Sequence, residues 1–321
     1  MQAYTVIAPE KGVIDIKAQD LPPLGHGQVL FANRFSAISP GTELAFLHDL
    51  PNTSGQFPRQ TGYSSCGTII AVGNGVEGLE PGQRVVCRCR HTSHAVIDAQ
   101  SCLPVPESVP DVDAAVYRLG SIALQGIRKA QIQLGWEVAV LGLGPIGNLA
   151  GQLARAAGAT EVAGIDPVDW RRELALDCGF DRVTGSADNW MDRHSFQSVI
   201  EATGAPDVIP LAFQLAARQG HVVLLASSRG ETHDVNFYRD VHKKGLTIFG
   251  AHESIRAGVE DHLSFMTHRT DDETVLKLLA GGRIQTGPLV SDVVSFEEAA
   301  DAYERLQKRD EPLMTIVFRW L

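Results

Sequence analysis

The sequence predicts an α/β protein with a β-rich first part followed by a doubly wound parallel sheet. Up to about Leu103, short alternating apolar runs are broken by glycine and proline, which is typical of a compact antiparallel β domain. From Glu137 onward, strand-like and helix-like segments alternate, and this order indicates a parallel sheet covered on both faces. A glycine-rich turn that begins at Gly142 directly follows the first apolar strand of this second part.

The order of segments also predicts the domain boundaries. A proline-rich stretch at 104–110 interrupts the β pattern, and apolar residues then follow helical spacing up to Ala130, so we expect the junction there. Helical patterns at 272–280 and 295–307 and a closing strand follow the parallel sheet, and we expect them to return to the first part. The predicted division is residues 1–118 and 254–321 for the first domain and 119–253 for the second.

Composition and charge exclude several classes of function. The chain has 321 residues, of which 44% are hydrophobic, and it contains no apolar run long enough to span a membrane. A net charge of −10 and the lack of a basic run argue against a nucleic-acid partner and favour a small-molecule substrate. Five dispersed cysteines and a strand-like start without a signal-like core predict reduced thiols in the cytoplasm.

The glycine turn has the pattern of a dinucleotide-binding site. Gly142 permits a tight turn, Gly144 lets backbone N–H groups approach a pyrophosphate, and Gly147 allows the helix to pack on the sheet. Pro145 and Ile146 lie between these glycines at the start of the helix, whose N-terminus stabilises phosphate charge. The motif therefore predicts a nicotinamide coenzyme and a redox reaction.

The second strand ends in an acidic residue that bears on the choice of coenzyme. A carboxylate at Asp166 can accept hydrogen bonds from an adenosine ribose and repels a 2′-phosphate. This favours NAD over NADP. Arg171, just downstream, could pair with such a phosphate, or it could lie on the solvated face of a helix.

Several fragments together resemble the medium-chain dehydrogenase/reductase superfamily over essentially the whole chain. They are residues 61–73, 79–85, 142–147 and 200–204. The resemblance implies a GroES-like β-rich catalytic domain and a Rossmann domain that binds NAD. It places Thr203 of the last fragment among the coenzyme-binding residues. Ser121 begins the helix that enters the second domain and is a further candidate for contact with the coenzyme or substrate.

The chain departs from the zinc-dependent members of this superfamily at each catalytic ligand. Pro40 replaces the ligand cysteine, Tyr63 replaces the ligand histidine, and the third position falls near Arg118, Leu119 and Gly120. These side chains do not supply the donors that a catalytic zinc requires. The resemblance is therefore to a zinc-lacking branch that includes bacteriochlorophyllide dehydrogenase-like and threonine dehydrogenase-like proteins.

A structural zinc lobe with four closely spaced cysteines is also missing. Cys87 and Cys89 flank one residue of a predicted strand, so we expect their side chains on opposite faces. His91 and His94 could suggest a metal site, but a solvated turn before the next strand is the favoured interpretation. We therefore predict no metal. Cys66 and Cys178 have no adjacent base in the sequence, and we expect them to be buried, inert thiols.

Without a metal, a protein side chain has to manage the proton of an alcohol substrate. Tyr63 is the first candidate, provided that its pKa is lowered, although it could equally be a packed phenol. Thr42 corresponds to the hydroxyl that begins the proton relay in zinc-dependent relatives. Glu43 could orient Arg118 or Tyr63, or act as a base if it is buried, or it could form a structural ion pair.

Two histidines complete the candidate catalytic set. His48 lies where relatives often end a proton relay, and it could also simply cap a helix. His252 follows the last strand of the parallel sheet, where ligands gather in doubly wound folds. The loops at 49–59 and 254–268 are expected to shape the pocket.

The sequence thus predicts a zinc-independent, NAD(H)-dependent enzyme that interconverts a secondary alcohol and a ketone. The substrate is expected to be a polyol, sugar, cyclitol or larger hydroxylated metabolite. Two alternatives stay open: an NADPH-dependent enone or quinone reductase, and a catalytically inactive NAD-binding sensor. A homodimer is expected, with residues 246–249 at the sheet edge where a partner could add strands.

Overall fold

A computed structural model describes residues 1–191, 195–257 and 266–320 of the chain. Contacts divide the chain into two compact units. The first comprises Met1–Arg118, Asp272–Ala280 and Leu289–Leu321, and the second comprises Leu119–Asp271 and Gly281–Pro288. Within the described ranges, no helix has both the length and the apolar character needed to cross a bilayer.

The secondary structure follows the expected change from β-rich to alternating order. The strands are β1 (Gln2–Ala8), β2 (Asp15–Asp20), β3 (Gln28–Ala37), β4 (Arg59–Gln60), β5 (Ser65–Val72), β6 (Arg84–Cys87), β7 (His94–Asp98), β8 (Leu103–Pro104), β9 (Glu137–Leu141), β10 (Glu161–Ile165), β11 (Arg182–Thr184), β12 (Phe196–Glu201), β13 (Ala216–Leu224), β14 (Thr247–Gly250), β15 (Val290–Ser295) and β16 (Thr315–Arg319). The α-helices are α1 (Pro40–Leu47), α2 (Asp111–Ala115), α3 (Tyr117–Ala130), α4 (Pro145–Ala157), α5 (Asp169–Asp177), α6 (Asp188–Met191), α7 (Ile209–Leu215), α8 (His268–Ala280) and α9 (Ala299–Lys308).

The first unit contains two sheets. The smaller has the strand order β2-β1-β4, and the larger has the order β15-β16-β3-β5-β6-β8, with β7 also paired to β3. The pairs are antiparallel except for β15 and β16, which run parallel. Strand β1 alternates exposed and buried residues over its first half, as expected for a sheet with one face on the core.

Among the described residues, two apolar clusters contribute to the core of the first unit. One joins residues of β1, α1, α9 and β16 and includes Phe318 and Trp320. The other packs Phe31 and Ile69 against cysteines of β6 and the segments around it. Cys87 and Cys89 both belong to this second cluster, so the prediction that they face opposite sides is wrong. Residues two apart along an extended chain project to the same face, so the spacing of these cysteines agrees with their shared cluster and not with opposite faces.

The second unit is a six-stranded parallel sheet with the order β11-β10-β9-β12-β13-β14. Strand β9 pairs in parallel with both β10 and β12, so the strand that enters the glycine turn lies inside the sheet. Residues Val138 to Leu141 are all buried, which is typical of a parallel strand covered on both faces. Strand β14 forms one edge of this sheet.

The first domain boundary falls where the sequence places it, whereas the return to the first unit differs. It begins at Asp272 rather than at residue 254, and residues 281–288 belong to the second unit. Polar contacts explain this difference. Asp271 forms ion pairs with Arg128 and Arg256, and Gln285 exchanges backbone hydrogen bonds with the side chain of Gln152. None of these contacts has a local sequence signal.

Candidate active site

The glycine turn lies between β9 and α4 in the second unit. Gly142 has a φ of 87°, and a Cβ there would lie 3.0 Å from the backbone nitrogen of Thr203. A Cβ at Gly147 would lie 1.8 Å from the carbonyl oxygen of Gly142, so only glycine fits. A Cβ at Gly144 would meet no atom within 4 Å. Packing within the protein therefore leaves open space at Gly144, where a bound pyrophosphate needs it.

The helix that follows is suited to hold an anion. Gly144 is the N-cap of α4 and offers no side chain to its first N–H groups. Pro145 and Ile146 begin the helix and are half-buried. Because α4 has 13 residues, its aligned peptide dipoles favour negative charge at this end. These residues fit the diphosphate of a dinucleotide.

Asp166 ties the glycine turn to the second strand. It is buried, and its Oδ2 accepts a hydrogen bond of 2.9 Å from the N–H of Leu143 while its Oδ1 accepts one of 2.9 Å from the N–H of Val168. Arg171 lies over the ring of Trp170, with its Nη1 3.6 Å from Oδ2 of Asp166. Each carboxylate oxygen keeps a further lone pair, so a ribose hydroxyl can still bind. Arg171 serves as the counter-ion of Asp166.

Thr203 is fixed against the turn by a buried acid. Oε1 of Glu201 accepts hydrogen bonds from the N–H of Thr203 at 2.7 Å and of Gly204 at 3.2 Å, and from the hydroxyl of Thr203. Burial raises the pKa of Glu201. The segment that faces Gly142 is therefore held by an acid that the sequence analysis did not single out.

Ser121 belongs to a buried polar network in the second unit. Its hydroxyl accepts a hydrogen bond of 3.0 Å from Nη1 of Arg256, which also donates to Asp271 at 3.0 Å. Arg128 pairs with the same carboxylate at 2.7 Å. Ser121 thus has a structural role that its position at the start of a helix did not indicate.

His252 lines a cavity of about 200 Å³ at the carboxyl ends of β13 and β14. The side chain is exposed, and its Nδ1 lies 2.7 Å from Oγ of Ser254. Doubly wound folds bind ligands at this edge. Of the predicted pocket loop at 254–268, residues 258–265 lie outside the described ranges. Besides His252, the residues that line the cavity are Leu224, Leu225, Ala226, Gly250, Ala251 and Ile255.

Tyr63 is half-buried in the first unit, just before β5. Burial raises its pKa to about 12, and the charge of Glu43 acts in the same direction. The hydroxyls of Ser39 and Thr42 and the charge of Arg118 oppose this shift only in part. The expectation of a lowered pKa for Tyr63 is therefore wrong. At neutral pH, Tyr63 is a protonated phenol that can donate a hydrogen bond.

Glu43 is the centre of a buried hydrogen-bond network in the first unit. Its Oε1 accepts from the N–H of Ser39 at 2.7 Å, and its Oε2 accepts from the N–H of Gly62 at 3.0 Å and from the hydroxyl of Tyr303 at 2.5 Å. Nε2 of His91 lies 3.2 Å from Oε2. Burial by itself would raise the pKa of Glu43, but His91 and these donors hold it below its ordinary value. Glu43 is an ionised structural anchor next to Tyr63.

The predicted solvated turn around His91 is wrong. His91, Thr92 and Ser93 are all buried, and Nδ1 of His91 lies 2.7 Å from Oγ of Ser36. Only the partners brought in by the fold make burial of this imidazole possible, because a buried polar ring requires hydrogen bonds. No motif near His91 in the sequence indicates these partners.

Of the remaining candidates, Thr42 lies near Tyr63, whereas His48 and Arg118 make contacts with other residues. Thr42 lies in α1 close enough to Tyr63 to lower its pKa. His48 is the C-cap of α1, where its N–H donates to Leu44, as in the helix-cap alternative. Arg118 is buried and pairs with Asp272 at 3.0 Å.

The residues at the zinc-ligand positions do not fit a catalytic zinc. Pro40 has no donor atom in its side chain, and Tyr63 keeps its proton. Across the described ranges, no group of three histidine, cysteine or acidic side chains could hold a metal ion. All five cysteines are buried free thiols, and burial raises the pKa of Cys66.

Two family models match this chain. The model described as "Alcohol dehydrogenase GroES-like domain" matches residues 25–107, and the model described as "Zinc-binding dehydrogenase" matches residues 145–267. The first match lies in the β-rich unit, and the second begins at the glycine turn.

Relatives with known activities match most of the chain. A 2-dehydro-3-deoxy-L-galactonate 5-dehydrogenase from Pseudoalteromonas atlantica is 23% identical over 317 residues, which cover 86% of this chain and 87% of the relative. An L-threonine 3-dehydrogenase from Pyrococcus horikoshii is 26% identical over 329 residues, which cover 90% of each. Both names describe dehydrogenases.

Solved structures share the fold. Galactitol-1-phosphate dehydrogenase from Escherichia coli has a TM-score of 0.85 and 21% identity, with 98% of this chain and 99% of that chain covered. A zinc-binding dehydrogenase from Sinorhizobium meliloti bound to NADP has a TM-score of 0.84 and 22% identity, with 99% of both chains covered. An alcohol dehydrogenase from Escherichia coli CFT073 complexed with NADH has a TM-score of 0.86 and 20% identity, also with 99% of both covered. The fold is thus a GroES-like β domain and a Rossmann-type parallel sheet.

Proposed function

We infer the function of this chain from its family, because the chain belongs to the medium-chain dehydrogenase/reductase superfamily. It is a nicotinamide-dependent oxidoreductase that acts on CH–OH groups and interconverts a secondary alcohol and a ketone. The glycine turn supports the coenzyme assignment, since the open space at Gly144 and the N-terminus of α4 fit a diphosphate. The relatives that act on sugar acids and sugar-alcohol phosphates favour a polyol or sugar-derived substrate.

The reaction is proposed to proceed without zinc, and the protonated phenol of Tyr63 carries this proposal. A bound nicotinamide ring supplies or accepts the hydride. In the direction of ketone reduction, negative charge develops on the carbonyl oxygen, and the Tyr63 hydroxyl donates a hydrogen bond and then its proton to that oxygen. Ser39 and Thr42, whose hydroxyls lie beside Tyr63, are suited to orient the phenol and to return a proton to it.

NAD is proposed as the preferred coenzyme. Asp166 stands at the end of β10 with a buried carboxylate that can accept from ribose hydroxyls, and a 2′-phosphate beside it would be repelled. Arg171 already balances the charge of Asp166, which leaves it less suited to pair with a phosphate. Solved relatives are bound to NADP in one case and to NADH in another, so the carboxylate is the observation that favours NAD.

A homodimer in the cytoplasm is proposed as the working form of the protein. Strand β14 is an edge of the parallel sheet, and a second copy could pair with it around a twofold axis. The five free thiols agree with a reducing compartment. Light scattering at the mass of a monomer would contradict the dimer.

The decisive experiment combines turnover with metal analysis. Nicotinamide-linked activity is measured on a panel of polyols, sugars and cyclitols, and zinc is quantified in the same sample. We expect turnover with substoichiometric zinc that persists after chelation.

Tyr63→Phe should lower kcat at least about a hundredfold while coenzyme affinity is unchanged. The exposed Tyr4 provides the matched control, since Tyr4→Phe removes an equivalent hydroxyl. Activity that requires stoichiometric zinc would refute the proposal.

A further inference from the structure

Two arginines of the first unit lie on adjoining backbone segments, close to the residue that precedes Tyr63. Nη1 of Arg90 donates a hydrogen bond of 3.1 Å to the carbonyl oxygen of Gly62. The N–H of His91 donates to the carbonyl oxygen of Thr61 at 2.9 Å, so the chain at 90–91 runs along the chain at 59–62. Arg59 stands at the start of that second segment, in β4. The fold therefore brings two guanidinium groups to one short stretch of backbone.

Arg59 is held in place by uncharged contacts. Its guanidinium carbon lies 3.9 Å from the centre of the Phe46 ring, and its Nη1 donates to Oγ of Ser54 at 3.4 Å. Stacking of this kind fixes the plane of a guanidinium and leaves its N–H edge available. The group is half-buried, whereas Arg90 is exposed.

The positive charge of this pair is not balanced by the protein. Within the described ranges, neither arginine forms an ion pair with an acidic side chain. Glu43 is the acid near Arg59, but its oxygens are occupied by Ser39, Gly62, His91 and Tyr303. Burial and the charge of Arg90 lower the pKa of Arg59, and the charge of Glu43 only partly offsets them. The repulsion between these two like charges is relieved when an anion binds to both.

We propose that Arg59 and Arg90 form a binding site for an oxyanion, the phosphate or carboxylate group of the alcohol substrate. The inference rests on the proposed function and narrows its substrate class to anionic secondary alcohols. An arginine carries five N–H donors in a planar fork that matches both oxyanions. Arg90 uses one donor on Gly62, the residue that precedes Tyr63, so the site would hold the anionic end of a substrate beside the proposed proton donor.

The test compares charged and neutral alcohols of the same carbon skeleton on the full-length protein. Inorganic phosphate, D-glucitol 6-phosphate, D-gluconate and D-glucitol are titrated by calorimetry at constant ionic strength, with NAD present. We expect the phosphorylated or the carboxylated alcohol to bind at least about tenfold more tightly than D-glucitol. If the phosphorylated alcohol binds more tightly than the carboxylated one, the site prefers phosphate; the reverse order identifies carboxylate.

Arg59→Gln and Arg90→Gln should each weaken anion binding at least about tenfold and leave D-glucitol binding unchanged. In turnover, they should raise KM for the anionic alcohol with little change in kcat. Arg319→Gln is the matched control, because Arg319 is an exposed arginine of the same unit. This substitution should change neither anion binding nor KM.

Other results would contradict either the anion site or the dehydrogenase proposal. Anion binding that survives both substitutions, or tight binding of inorganic phosphate without any preference for anionic alcohols, overturns the inference. Anion binding that depends on both arginines in a protein without turnover supports the site and removes the dehydrogenase proposal instead. The two failures are therefore distinguishable.

Discussion

Tyr303 in α9 donates a hydrogen bond of 2.5 Å to Oε2 of Glu43 in α1. This contact joins the last helix of the chain to its first helix, and both residues are buried. The same carboxylate lies 3.2 Å from Nε2 of His91 and accepts from the N–H of Gly62. One ionised acid thus fixes the backbone that presents Tyr63, and the stability of the first unit is linked to the geometry of the proposed proton donor.

Substitution of this acid should destabilise the protein in a pH-dependent way. Glu43→Gln leaves His91 and Tyr303 with a poorer buried partner, and we expect a loss of about 3–5 kcal/mol in the free energy of unfolding. The folded protein lowers the pKa of Glu43 below its ordinary 4.5. Its contribution is therefore complete above pH 4.5 and is lost as pH falls through the lowered value. Denaturant unfolding of both proteins at several pH values measures the difference.

The control for this experiment is Glu10→Gln, which removes an exposed carboxylate from the same unit. It should change the free energy of unfolding by less than about 0.5 kcal/mol. A Glu43→Gln protein that is as stable as the wild type at pH 7 would contradict the anchoring role.

Alcohol oxidation should become faster with rising pH because Tyr63 keeps its proton until about pH 12. Below that value, the phenolate fraction increases about tenfold for each pH unit, and only the phenolate can accept a proton. We expect kcat for oxidation to rise continuously from pH 7 to pH 10, whereas ketone reduction stays nearly constant. Steady-state rates in both directions provide the measurement. A plateau near the pKa of an ordinary histidine, about 6.5, would point to His48 or His252 instead.

Two glycine substitutions should separate coenzyme binding from folding. Gly144→Ala adds a methyl group where the protein leaves open space and where φ is −65°, so the fold should be kept while NAD affinity falls sharply. Gly147→Ala places a Cβ 1.8 Å from the carbonyl oxygen of Gly142, and we expect loss of folding or stability. Thermal unfolding and NAD titration of both variants test this contrast. Tight NAD binding by Gly144→Ala would argue against the phosphate role of the turn.

Asp166 should determine coenzyme preference. Asp166→Ala removes the acceptor for ribose hydroxyls and frees Arg171, so we expect NAD affinity to fall at least about tenfold and NADP affinity to fall less. Circular dichroism must accompany the titration, because the N–H groups of Leu143 and Val168 also lose their acceptor. Asp169→Ala, at an exposed acid three residues on, should leave both affinities unchanged. Equal losses for the two coenzymes would remove the basis for NAD preference.

The sequence by itself determined the parts of the protein that depend on neighbouring residues. The glycine turn, the strand before it and the helix after it follow from the spacing of Gly142, Gly144 and Gly147, because the backbone conformation and close packing there are local requirements. The same holds for the alternating order that gives a parallel sheet.

Only the tertiary structure decided which polar groups are buried and which partners they contact. The sequence predicts a solvated turn at His91, and no pattern singles out Tyr303, yet both contact Glu43 from distant parts of the chain. The pKa of Tyr63 is likewise raised by burial, a quantity that depends on every element packed around the phenol. The charges of Arg59 and Arg90 influence one another for the same reason. Electrostatic surroundings are set by distances through space, and the order of residues along the chain does not contain those distances.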